Sequence, residues 1–480
     1  MLRPWIIISL LLFLYPSSAY SEDGEWVPGV IHLHTKIGEG DGVLSPVEMV
    51  KRVKEKGMGI AIINDHDNER VEYGLFPLRK IVKKVVERNS ISRYGVKNYL
   101  DAVKKAEMAF PDVIVIPGVE AVPVYYWEGS PFDGNLTLKN WHKHILIMGL
   151  ERHEDMEGLP SVGRGWPVRF GAGCFLNLWP VILLPSGLFL IRYRSYNPLE
   201  FSRIRFMETR RPYRIPGFVI FTGGVVFLVN NFPFCRPPYD PYHGDPGIAP
   251  YQEVIDYVDA RGGLAFWAHP DATFDTNIDK VRVYTPPHPD DLISSDGYTG
   301  FAALLEGKKV GEPGGIWDRL LLEYLEGKRK RPVWAIGELD YKDGDWMGET
   351  QTVFFIKERT KTEVLKALKE GRVYASSGLP HKPVLKRFEI WDEKEKVWKG
   401  MGDTASVGEE VKVRVEVELH GRQELRLRLI RGGKVITSWP LKGVFTTEWV
   451  EPMEKGRTYY RIDIDSLLIT NPIFVKRVEG

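Results

Sequence analysis

Cysteine is nearly absent: the 480 residues contain only Cys174 and Cys235. That excludes a disulfide-dense scaffold. Charge of one sign is also missing. Lysine and arginine total 65, aspartate and glutamate 64, and the net charge is +1. No global field therefore marks nucleic acid as a partner. The opening stretch "MLRPWIIISLLLFLYPSSAYSEDGEW" has an apolar run, Trp5 to Tyr15, too short to span a bilayer comfortably. A lone Arg3 precedes it. Pro16 follows, with small residues at Ser17 and Ala19. This is the pattern of a signal peptide over residues 1–21 and implies export. An uncleaved anchor or a buried helix are the other readings. At this length two or three domains are expected.

The remaining information lies in where histidines and carboxylates fall. "GVIHLHTKIGEGDG" places His32 and His34 one residue apart on an apolar, β-prone stretch, with Asp41 in the glycine-rich loop after it. Side chains alternate on a strand, so the two imidazoles share a face. Alone, they could equally be a chance surface pair. "SPVEMVKRVKEKG" follows and reads as a helix. Ser45 is its N-cap, Pro46 its first residue, Glu48 closes a capping box and Gly57 ends it. Val47, Val50 and Val53 form the expected buried stripe. "IAII" is then a buried strand running into Asp65 and His66, at the edge where α/β folds build sites.

The pattern recurs. "VIVIPGVEAV" stops at Glu120; "WHKHILIMGL" presents His142 and His144 before an apolar strand. "GGLAFWAHPDA" ends at His269, and "RPVWAIGELDYKDGD" at Glu338 and Asp340. Ordinary polar strand caps explain one or two of these positions, not the series. His243, His288 and His381 lie in proline- or glycine-rich loops and read as surface histidines.

The order His32-x-His34, Asp41, Asp65–His66, Glu120, His144, His269–Pro270, Asp340 resembles the PHP (polymerase and histidinol phosphatase) superfamily of metallohydrolases. Within it, "IWDRLLLEYLEGKRKRPVWAIGELD" and "ALKEGRVYASSG" are most similar to the carbaryl-hydrolase-like branch. The resemblance implies a distorted (β/α)7 barrel over residues 22–384, with metals at the carboxyl ends of its strands. It also implies how ligands are shared. One cation takes His32, His34, Glu120 and Asp340; a second shares Glu120 and takes His144 and His269; a third uses Asp41 and His66. Such a dinuclear centre, of zinc, manganese or iron, activates water against a small-molecule ester. Phosphoesters lead, with carbamate or carboxylic esters as the alternative. A non-catalytic, metal-stabilised extracellular binding protein is the other class, although structural sites usually close with four ligands.

The family usually has a histidine two residues after Asp340, serving the third metal. Here it is Lys342. Two metals are therefore expected, with the third weak or absent. Lys342 either puts positive charge beside a substrate oxygen or is a solvated loop residue. Asp65 is expected to orient a ligand or accept a proton.

An insertion over residues 160–245 departs from the family. Two apolar runs, 170–191 and 215–234, flank a segment with seven arginines and two glutamates. They read as a membrane hairpin with the arginine-rich loop in the cytoplasm and the catalytic domain outside, making the bilayer a partner. Asn177, Pro180, Pro185, Asn230 and Asn231 weaken that reading. A monotopic or lid-like element, and a packed β-insertion, remain as alternatives. In a hairpin, Cys174 and Cys235 meet near the outer end, where a disulfide is permitted. Residues 385–480 alternate valine and leucine with charge, as in "EEVKVRVEVELHG", and predict a β-sandwich.

Overall fold

The computed structural model describes residues 24–38, 42–150, 152–166, 170–201, 204–235, 237–378, 382–421 and 423–478. Residues 1–21, read above as a signal peptide, and Asp41 and His381 lie outside them. The fold is mixed α/β, organised on one large sheet. Its strands and main helices are β1 (Glu25–Leu33), α1 (Pro46–Glu55), β2 (Ile60–Ile63), α2 (Val96–Ala109), β3 (Ile114–Ala121), β4 (Ile145–Met148), α3 (Ala249–Asp259), β5 (Leu264–Trp267), β6 (Gly300–Leu304), α4 (Ile316–Leu325), β7 (Trp334–Gly337), β8 (Thr350–Ile356), α5 (Lys361–Glu370) and β9 (Val373–Ser377).

The strand order runs β7-β6-β5-β4-β3-β2-β1-β8-β9. Neighbours β1, β2 and β3 are parallel, as are β5, β6 and β7. Between these groups β4 is antiparallel to both β3 and β5. The residues just before β4 therefore sit at the same edge as the residues that follow β2, β3 and β5. Alternate faces of the short apolar strands feed two cores, because both faces are covered. Ala61 and Ile63 join a core with the α1, α2, α3 and α4 side chains. Ile60 and Ile62 meet residues of β1, β3, β4, β5, β7, β8 and α5 in a second. A flat sheet could not bring β1 and β7 together in this way, so the sheet curls. Hydrogen bonds Leu339 N–H to Ile31 O and Tyr341 N–H to His32 O link the chain after β7 to β1. Among the described residues no strand ladder closes this seam.

The α1 boundaries follow its sequence. Ser45 and Glu48 form the reciprocal capping box, and Gly57 takes φ +75° just beyond the end. The buried stripe is Pro46, Met49, Val50 and Val53. Val47 is 38% exposed, one position off the face that packs on α2.

In the insertion, Ala172–Arg192 and Arg214–Asn231 are helices long and apolar enough to cross a membrane. They pack on each other through glycine. A Cβ on Gly187 would lie 2.6 Å from Phe221 N, and one on Gly217 2.7 Å from Gly187 O. Large apolar side chains such as Phe175, Ile182, Phe189, Ile215 and Phe218 point outward and are exposed. Cys174 and Cys235 are joined by a disulfide at one end. The strands Ser195–Phe201 and Ile204–Arg210 form an antiparallel hairpin at the other.

The tail contributes β10 (Pro383–Asp392), β11 (Thr404–Val407), β12 (Glu410–Leu419), β13 (Leu425–Arg431), β14 (Lys434–Leu441), β15 (Val444–Pro452), β16 (Arg457–Ile464), β17 (Leu468–Thr470) and β18 (Ile473–Arg477). Strands β10, β12 and β15 pair in one antiparallel sheet. The opposing strands, including β13 and β16, continue the large sheet through a β17–β9 ladder. Val411, Val413, Val415 and Val417 from one layer meet Leu427, Leu429 and Ile462 from the other. A buried ion pair also ties the tail to α4: Arg461 donates to Asp318 at 2.7 Å through both Nε and Nη2.

Candidate metal centre

The residues at the strand edges converge on one buried carboxylate. Glu120, near the end of β3, is 1% exposed. His32 Nε2 lies 3.1 Å from its Oε1, His144 Nδ1 2.5 Å and His269 Nε2 3.4 Å. On the other oxygen, His34 Nε2 lies 3.3 Å and His66 Nδ1 3.1 Å from Oε2. Asp340 Oδ1 reaches His34 Nε2 at 3.0 Å and His32 Nε2 at 3.8 Å. Asp340 is the open member, with 34% of its side chain exposed.

Each position has a local cause. His32 sits at a β-bulge in β1 with φ +73°, so His32 and His34 converge through a kink and not by simple alternation. His269 and Asp340 also take positive φ, at +30° and +47°. Non-glycine residues held in this region are strained by about 1–3 kcal/mol each and cluster at functional sites. A parallel bridge between His66 and Glu120 places those two side by side. His144 reaches the cluster because β4 runs antiparallel and begins at this edge.

Polar partners behind the rings fix which nitrogen faces inward. Glu338 Oε2 contacts His32 Nδ1 at 3.0 Å, and Glu338 Oε1 accepts the His269 backbone N–H at 2.8 Å. His144 Nε2 lies 2.9 Å from the Trp141 carbonyl and donates to it, leaving Nδ1 for the centre. Such backing partners orient metal-binding imidazoles. Among the described residues, His32 Nε2, His66 Nδ1 and His269 Nδ1 are buried and make no hydrogen bond.

The donor set fits divalent cations. His32, His34 and Glu120 form one group of mutually close ligand atoms, and His66, Glu120 and His144 another. Bonds of about 2.1 Å in a tetrahedral site put ligand atoms about 3.4 Å apart. The separations around Glu120 run from 2.5 to 3.4 Å, at or below that value, and His32 Nε2 and Asp340 Oδ1 stand 3.8 Å apart. The grouping differs from the one the resemblance implies: His66 joins Glu120 and His144, because the bridge to β3 brings it there. His269 lies beside the same pair, with Nε2 3.2 Å from His144 Nδ1.

Electrostatics divides the rings. Burial disfavours charge on His66 and His144 and holds both below the ordinary histidine range, His66 well below. A neutral imidazole is the form that ligates a metal. Burial also opposes charge on His32, but Glu120 and Asp340 outweigh it and hold that ring well above its usual range. Burial likewise opposes charge on His269, but contact with Glu120 and the field of Glu338 push it up to about 9. Glu120 is kept ionised despite its burial by His144, His32 and His66.

Other candidates fall at varying distances. Asp65 is fully buried, and its two oxygens accept from Thr35 N–H at 2.6 Å and Thr35 Oγ1–H at 2.7 Å. It thereby anchors the chain just after His34. Lys342 is half-buried; burial holds His66 and His142 below the ordinary histidine range, and the charge of Lys342 adds to it. His142 stacks on Phe274 with ring centroids 3.5 Å apart, outside the Glu120 cluster. His243 is exposed, as its loop implies. His288 is not: it is buried against Trp267, with its ring centroid 6.5 Å from that of His269. The loop's composition says surface, but the hydrogen bond from His288 N–H to Pro270 O folds it back onto β5. Glu338 is the residue that sequence reasoning leaves without a role. Its signal is its position two before Asp340, the same spacing as His32 and His34.

No family model matches the chain, and no curated protein does. Solved structures with some likeness include a two-domain protein from Bacteroides vulgatus containing a predicted PHP-like metal-dependent phosphoesterase. It is 11% identical, covering 94% of this chain and 95% of that one, with a TM-score of 0.36. A candidate metal-dependent phosphoesterase from Bifidobacterium adolescentis is 15% identical over 66% of this chain and 87% of its own, with a TM-score of 0.27. An amidohydrolase from Chromobacterium violaceum is 13% identical over 65% and 87%, also at 0.27. Likenesses at this level carry no weight on chemistry, which rests on the site itself.

Proposed function

We propose that this chain is a metal-dependent hydrolase of the PHP superfamily, acting on phosphoesters, with its curled sheet a distorted (β/α)7 barrel. The observation that carries the reading is Glu120: one buried carboxylate with imidazoles against both oxygens, the arrangement of a bridge between two cations. Bound there, two divalent cations would supply Lewis acidity and an ionised water. His32, His34, Glu120 and Asp340 would hold one cation, and Glu120, His66 and His144 the other, with His269 beside it. Glu338 and Trp141 O orient the rings. Asp65 holds the His34 loop through Thr35. Lys342, at the mouth, attracts and orients an anionic ester, which favours phosphoesters over neutral carbamates or carboxylic esters.

The test is hydrolysis of bis-p-nitrophenyl phosphate, p-nitrophenyl acetate and a p-nitrophenyl carbamate by the metal-reconstituted protein and by Glu120→Gln. The reading expects phosphodiester turnover that Glu120→Gln abolishes together with bound metal. A variant that loses only thermal stability, from a wild type inert to all three esters, indicates the non-catalytic alternative.

We also propose that the helix pair anchors an exported catalytic domain in a bilayer. Support comes from its outward apolar side chains, its glycine-mediated packing and the disulfide at one end. Exposed Arg192, Arg194, Arg211 and Arg214 lie toward the other end, the cytoplasmic end by the positive-inside rule. The asparagines that weaken a membrane reading sit at the disulfide end: Asn230 and Asn231 close the second helix, Asn177 follows the short turn Ala172–Leu176, and Asn231 Nδ2 donates to Asn177 O at 2.8 Å. A truncated protein lacking residues 1–21 that is soluble without detergent would overturn this.

A further inference from the structure

A cavity of about 650 Å³ lies where the helix pair meets the catalytic domain, lined in part by Arg79, Trp166, Asn177, Trp179, Phe227 and Tyr242. Its base is fixed. Asn230 Oδ1 accepts the Lys80 backbone N–H at 3.1 Å, and Asn230 Nδ2 donates to Pro77 O at 3.3 Å. The helix end and the 77–80 loop therefore form one wall.

Two donors in this wall are unspent. Trp166 is 3% exposed and its Nε1–H has no partner among the described residues. The Arg79 guanidinium lies 4.1 Å from the Tyr242 ring centroid; its Nε is buried, and it makes no hydrogen bond or ion pair among the described residues. The acids nearby are already engaged. Glu72 pairs with Lys83 at 2.7 Å and Arg70 at 3.4 Å, and Asp240 contacts His243 at 2.7 Å. A buried donor left without an acceptor is costly, and an arginine of this kind suits a phosphate. On the helix side the lining sets Trp179 and Phe227 beside Asn177, Asn230 and Asn231, and Trp179 is exposed next to the apolar Phe175 and Ile182 of the surface assigned above to lipid.

We propose that this cavity binds one phospholipid, its anionic phosphate headgroup taken by Arg79 and the Trp166 N–H, its chains lying along the helix pair beside Trp179 and Phe227. The site is separate from the Glu120 cluster and rests on the bilayer reading of the helices.

The experiment uses the full chain, stripped of lipid in detergent. It is titrated with dioctanoyl phosphatidylglycerol, dioctanoylglycerol and inorganic phosphate, with bound mass read by native mass spectrometry. Saturable binding of one phosphatidylglycerol is expected, without comparable binding of dioctanoylglycerol or phosphate. Arg79→Gln should weaken it about tenfold and Arg79→Lys less, with metal content unchanged in both as the check on folding. Equal affinity in Arg79→Gln, equal binding of inorganic phosphate, or no saturable lipid binding overturns the site. Failure of the anchor shows separately, as protein lacking residues 1–21 that is soluble without detergent.

Discussion

Glu338→Gln is a sharp probe of how the centre is held. Glu338 touches no candidate cation position, yet one oxygen faces His32 Nδ1 at 3.0 Å and the other accepts the His269 N–H at 2.8 Å. It is 1% exposed, so water cannot replace either contact. The amide of glutamine keeps one acceptor and presents a donor where the second was, and it loses the charge. One charge-assisted hydrogen bond is therefore lost, worth about 1.5–3 kcal/mol. If that energy is spent aiming His32 and His269, it appears as about 10- to 100-fold weaker metal binding. The assay is competition for zinc or manganese against a chelator of known affinity, with far-UV circular dichroism confirming the fold. Affinity within about twofold of wild type would refute the claim that Glu338 organises the site.

Three further outcomes follow from particular contacts. Asp318→Asn should leave Arg461 buried and unpaired and destabilise by about 3–5 kcal/mol, read as the urea midpoint; replacing both residues by leucine and methionine should cost much less. Burial raises the Glu389 carboxyl above its ordinary range. Its stabilising contribution is complete below the unfolded value of about 4.3 and is lost as pH rises through the higher folded value. Glu389→Gln should flatten the fall in thermal midpoint across that window, and an unchanged slope would exclude Glu389 as its source. Lys342→His should add a third equivalent of metal by elemental analysis, whereas a wild type already holding three per chain would contradict the reading of that lysine.

Much of the centre is legible in sequence because strand ends are marked by composition. Apolar runs stop abruptly at Asp65–His66, Glu120 and His269, and the sheet brings those stops to one edge. The orientation of β4 is not legible: "WHKHILIMGL" has the same pattern whichever way the strand runs. Nor is the pairing of ligands. It depends on the His66–Glu120 bridge, a contact between residues far apart in the chain. His288 defeats a reading from its loop because composition reports solvent exposure only on average, and packing on Trp267 overrides it. The asparagines of the insertion look like interruptions in two apolar runs. They fall together at one end of the helix pair, a consequence of antiparallel packing that no single run displays. The tail's alternation marks its strands but not the β17–β9 ladder that makes them an extension of the large sheet.

The central claim is that Glu120 bridges two cations. Crystals grown with manganese, measured at a wavelength where manganese scatters anomalously, test it directly. The account predicts two anomalous peaks about 3.5–4 Å apart, both against the Glu120 carboxylate, one beside His32 and His34 and the other beside His66 and His144. A single peak, or peaks that leave Glu120 unligated, would contradict it.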